Sequence, residues 1–191
     1  MDIIAVKKHV QELEQAKKRL PVYEYLRGLW REHSDSAELA TLVLHQMVFH
    51  LEELEYPERV CEHPDEYNWC DELLQDVLRV GLQRHREDRY FLWSLCFFLT
   101  DYPHYHYLLG PVIPPPEATR VLEELLALAD QRYPGSMMFR VISYIQEWPV
   151  PPWQDAYSEA ELATLTAEME AWHLQDNVAD DEIKWWFRSD R

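Results

Sequence analysis

Cys61, His63 and Cys70, with Asp65 and Glu66 between them, come closest in this sequence to a metal site by residue type and spacing. Thiolate, imidazole and carboxylate are all zinc ligands, but a structural zinc site takes four, commonly as two short-spaced pairs, and here the second pair is incomplete. The expectation is therefore no metal and no cofactor. Tyr102 to Tyr107 alternates Tyr and His around Pro103. Such a string could line a proton-exchanging pocket, with Asp101, Tyr102, His104 and His106 as the groups of an enzyme. The plainer reading is a helix-to-loop junction whose aromatic rings are buried and whose polar tips stay wet. It is favoured because no nucleophile or carboxylate pair stands beside the string at motif spacing. His45 and His50 are five residues apart, about 140° around a helix, and do not converge on a metal. The sequence lacks H-E-x-x-H, G-x-S-x-G, P-loop and G-x-G-x-x-G patterns, and its 4 glycines leave little material for a phosphate-cradling loop. Catalysis is not expected.

Charge is the stronger signal. The 191 residues carry a formal net charge of -17, which disfavours nonspecific attraction to nucleic acid or to an anionic membrane and points to a basic protein partner. Two blocks hold nearly all of it. Glu52 to Asp88 has 12 acids and 4 bases, and Glu147 to Arg191 has 11 acids and 3 bases, a net of -8 each. Residues 1–32, with 7 bases and 5 acids, are slightly positive. Both blocks interleave acids with aromatics: Tyr56, Tyr67 and Trp69 in the first, Trp153, Tyr157, Trp172, Trp185, Trp186 and Phe187 in the second. Carboxylates steer an encounter with a basic surface, and aromatics supply the anchoring contacts. The candidate partner-binding residues are Glu62, Asp65, Glu66 and Tyr67 in one block and Asp180, Asp181, Glu182, Trp185 and Trp186 in the other. The competing reading is a solvated surface that promotes solubility.

The elements that must position these residues are helical. Glycine is scarce, and apolar residues recur at three- and four-residue steps in nearly every segment, so the fold expected is all-α with seven to nine helices, for which helical-hairpin packing in the manner of an α-solenoid is one arrangement. Residues 2–20 form a first amphipathic helix that Pro21 ends, and Val22 to His33 a second. Ser34-Asp35-Ser36 supplies an N-cap, with Glu38 in capping-box position after Asp35, for a broad, central third helix from Ala37 to Glu55. Trp69 to Arg86 and Asp88 to Tyr102 follow, the latter apolar almost all round and expected to be the most buried. Leu108 to Pro116 predicts a rigid extended connection, with a possible subdivision of a single 1–191 domain near 110–116. Glu117 to Arg132 and Ser136 to Trp148 come next. Ser158 and Glu161 then cap a further helix, and Asp180 to Arg191 forms a short last one.

The longest near-continuous apolar run, Tyr90 to Leu99, is half the roughly 20 residues that span a bilayer. The first eight residues have too short an apolar stretch for a signal peptide, so the mature chain is expected to start here. Three cysteines, an odd number, favour reduced thiols and a cytoplasmic location over a Cys61–Cys70 disulfide. Together these features suggest an acidic protein-binding inhibitor, an immunity protein or antitoxin that neutralises a basic toxin, such as a nuclease, by covering its surface. A helical scaffold or adaptor that binds a regulatory partner or peptide is the alternative.

Overall fold

A computed structural model describes residues 1–16, 19–54, 63–100, 102–145 and 157–171. Among these residues there are nine helices and no strand: α1 (Ile3–Gln15), α2 (Arg19–His33), α3 (Ala37–Leu54), α4 (Glu66–Arg84), α5 (Arg89–Thr100), α6 (Tyr102–Leu109), α7 (Pro115–Arg132), α8 (Met137–Ile145) and α9 (Glu159–Ala171). No described helix is long and apolar enough to cross a membrane.

Two helices organise the packing. α3 lies against α1, α2, α4 and α5, and α5 lies against α3, α6, α7 and α8. Their sequences explain why. From Leu42 to Val48 every α3 residue is buried, and in α5 every residue from Phe91 to Leu99 is buried, so both helices need neighbours on all sides. Trp93 is the anchor of α5: its ring stacks on Phe97 at 5.2 Å and its Nε1 donates to the Met138 carbonyl of α8 at 3.0 Å. Burying each such large side chain contributes about 1.5–3 kcal/mol.

Local chemistry sets the helix ends, in places against the sequence expectation. Asp2 caps α1, its Oδ1 accepting from the Ile4 and Ala5 amides. Pro21 does not end a helix but sits in the first turn of α2, where its missing N–H would have had no intrahelical acceptor. Within the Ser34-Asp35-Ser36 segment it is Ser36 that caps α3, its Oγ accepting from Leu39 N at 3.2 Å, so the cap forms but the Asp35–Glu38 box does not. Asp88 caps α5 through the Tyr90 and Phe91 amides. Pro103 likewise falls in the first turn of α6, so the His-Tyr string is a helix of its own rather than the frayed end of α5. The proline-rich stretch after it is not an extended connection. Val112 and Ile113 donate back to the Leu109 carbonyl, Ile113 is buried, and Pro115 begins α7. The Ser158–Glu161 capping box forms as read: Ser158 N donates to Glu161 Oε2 at 2.9 Å and Glu161 N to Ser158 Oγ at 3.4 Å.

Candidate functional site

The start of α4 brings together more polar and aromatic side chains than its sequence suggests. His63 does three things at once. Its backbone N–H donates to Glu66 Oε2 at 3.4 Å, its Nδ1 accepts from the Asp65 amide at 3.1 Å, and its ring stacks on Trp69 at 4.4 Å. On the far side Trp69 stacks on Tyr23 of α2 at 6.1 Å, and the Arg27 guanidinium lies 5.7 Å from the Tyr23 ring centre. This column ties α4 to α2. Burial raises the Tyr23 phenol above its ordinary pKa.

Beneath the column lies Glu66, which the sequence reading grouped with the exposed acids. Glu66 is fully buried. Its Oε1 accepts from His50 Nε2 of α3 at 2.9 Å, and Arg19 Nε of α2 lies 3.9 Å away. A buried carboxylate needs such partners, and with them Glu66 becomes an internal tie among α2, α3 and α4 rather than a surface charge. The expected role of Glu66 in binding a partner is therefore corrected. His50, Arg19 and Tyr23 were missed because residues far apart in the chain make this cluster. The available hint was that His50 stands three residues after Met47 and next to Leu51, inside an apolar stripe.

The outer surface of α4 carries several other acids. Asp65, Trp69, Glu72 and Asp76 recur at i, i+4, i+7 and i+11 and so share one face. Asp65, Glu72 and Asp76 are exposed, and Trp69 is half-buried among them. Asp76 Oδ2 accepts from Trp30 Nε1 of α2 at 2.8 Å, which holds that carboxylate in place at the α2 edge. Tyr67 points elsewhere and packs, half-buried, against the core. Glu62 and Cys61 lie outside the described residues, as do Asp180, Asp181, Glu182, Trp185, Trp186 and the expected last helix.

The other candidate chemistry disperses. In α6, Tyr105 turns inward and meets Phe98 edge-on at 5.2 Å, whereas His104 and His106 are exposed, with His104 Nε2 donating to Glu52 at 2.7 Å. Helical periodicity sends neighbours in the string to different faces. His45 and His50 also diverge: His45 meets Phe98 of α5 edge-on, and His50 faces α4. Cys70 and Cys96 are buried, and burial pushes the Cys96 thiol well above its ordinary pKa. Among the described residues, no three His, Cys, Asp or Glu side chains gather as a metal site would require.

No protein family model matches the chain, and no curated protein or solved structure is significantly similar to it.

Proposed function

We propose that this protein is an acidic inhibitor of a basic protein, an immunity protein or antitoxin that neutralises a toxin by covering its surface. The observation that carries this reading is the α4 face: three exposed carboxylates, Asp65, Glu72 and Asp76, arranged around the half-buried indole of Trp69. Exposed acids accelerate the encounter with a basic surface, and an indole already held between His63 and Tyr23 gives up little conformational freedom on binding. The acids and tryptophans of residues 180–186 supply a second patch of the same composition.

The partner is expected to be encoded by an adjacent gene, as a domain with a net positive charge. Expression of that domain alone should arrest growth, and co-expression of this protein should restore it. An adjacent basic domain that is harmless, or whose toxicity this protein leaves unchanged, counts against the proposal. So does rescue that survives Asp65→Lys, Glu72→Lys and Asp76→Lys combined with charge reversal at Asp180, Asp181 and Glu182.

A further inference from the structure

Helix α9 is held to the protein unlike the other helices. Among its described side chains only Leu165 is buried, while Ala160, Ala163, Thr164, Thr166 and Ala167 are exposed. Polar contacts hold the rest. The Glu168 carboxylate sits over the first turn of α8, where Oε2 accepts from Met138 N at 3.0 Å and Ser136 Oγ at 2.9 Å, and Oε1 from Met137 N at 3.3 Å. Arg89 Nη2 of α5 lies 3.4 Å from Oε2. At the other end of α9, Glu161 pairs with Arg140 at 3.0 Å, and the Arg140 guanidinium lies 5.5 Å from the Tyr157 ring centre. A cleft between α5 and α8, lined by Tyr90, Trp93, Met138 and Phe139, opens beside Glu168 and Arg89.

The receptor half of this arrangement is supplied by residues of α5 and by the N-terminus of α8 with Ser136 before it. Two amides of a helix N-terminus, a hydroxyl and a guanidinium all converge on one carboxylate, an arrangement that selects a carboxylate by both charge and geometry. An element with so little apolar burial is the kind that opens locally while the core stays folded.

We propose that α9 is a releasable strap. It occupies in cis a docking groove for a partner helix that presents an aliphatic side chain and, three residues on, a carboxylate, as Leu165 and Glu168 do. While the strap is closed it lowers the apparent affinity for that helix by the fraction of molecules that are open. This inference does not rest on the function proposed above, since it concerns a different face and an acidic rather than a basic ligand group.

The probe is a fluorescent peptide spanning residues 157–171, titrated into the full-length protein and followed by anisotropy. Glu168→Ala in the protein should raise its affinity at least about ten-fold by freeing the groove. Binding should vanish when the peptide carries Glu168→Gln or the protein also carries Arg89→Ala. Equal affinity for wild type and Glu168→Ala, or no binding to either, overturns the proposal. A concentration-dependent dimer of the wild-type chain that dissociates on Glu168→Ala also overturns it, because the occupant is then a second copy. Native-state hydrogen exchange on the unaltered protein gives a reading free of any folding defect. The amides of α9 should exchange by an opening that leaves α3 and α5 protected, and exchange of all three in one event overturns the strap.

Discussion

His50 Nε2 lies 2.9 Å from Glu66 Oε1, joining α3 to the first residue of α4 through a carboxylate with no exposed surface. Removing one partner of such a pair leaves the other buried without compensation. Glu66→Ala should therefore cost about 3–5 kcal/mol in urea unfolding. Glu66→Gln, which still offers an acceptor to His50, should cost clearly less. Equal losses in the two variants would show that packing, not the hydrogen bond, is what matters there.

Gly81 faces Phe91 so closely that a Cβ at this position would lie far inside van der Waals contact with Phe91 Cζ. Alanine improves helix propensity by about 1 kcal/mol over glycine, but here Phe91, itself buried in α5, would have to move. Gly81→Ala is expected to destabilise by about 1–3 kcal/mol net, the cost of overpacking a filled site. Gly81→Ala with Phe91→Leu should recover part of the loss, as thermal unfolding of the two variants would show.

Trp93 is 1% exposed and provides both a stacked ring and a hydrogen bond to α8. Trp93→Ala should lose about 3–5 kcal/mol, the range for large buried aromatics. Phe97→Ala, at the 7% exposed edge of the same stack, should fall nearer the lower end of that range. An unchanged denaturation midpoint in both would remove α5 from the core.

His45 is buried against Phe98, and burial, with a smaller push from the Lys7 ammonium, lowers its pKa from 6.5 to about 3. The unfolded chain takes up this proton near 6.5 and the folded protein only near 3, so between those values the unfolded state binds more protons. The contribution of neutral His45 is complete above the upper value. It falls by up to about 1.4 kcal/mol per pH unit on acidification. His45→Leu cannot titrate and should flatten the stability profile between pH 6.5 and 4 relative to wild type. Parallel profiles would show that His45 is protonated in the folded protein.

Trp186 separates partner binding from self-packing in the C-terminal block. On the proposed function, Trp186→Ala should speed dissociation from the basic partner and lose about 2 kcal/mol or more of affinity, while the melting temperature holds. Charge reversal at Asp180, Asp181 and Glu182 should mainly slow association and flatten its salt dependence. Lost stability with unchanged affinity would make Trp186 a clamp on its own core.

What the sequence determined by itself was local. Helical spacing in α3 and α5 and the S-x-x-E box before α9 are encoded within a few turns of chain, where the 3.6-residue period and the unsatisfied amides of a helix N-terminus dictate the answer. Proline was the ambiguous signal. Pro21, Pro103 and Pro115 are as compatible with a first turn as with a break, because a first-turn residue needs no N–H, and only packing chose between the two. Tertiary structure alone decided the fate of polar groups. Asp65 and Glu66 are adjacent acids of nearly identical chemistry, yet one faces water and the other is buried against His50 because α3 supplies a donor 16 residues earlier in the chain. Glu168 likewise reads as one more surface acid until Ser136, Met137 and Met138 converge on it from about 30 residues away. A charge is buried or exposed according to what lies opposite it, and that partner is set by how the helices pack, which no spacing within one helix encodes.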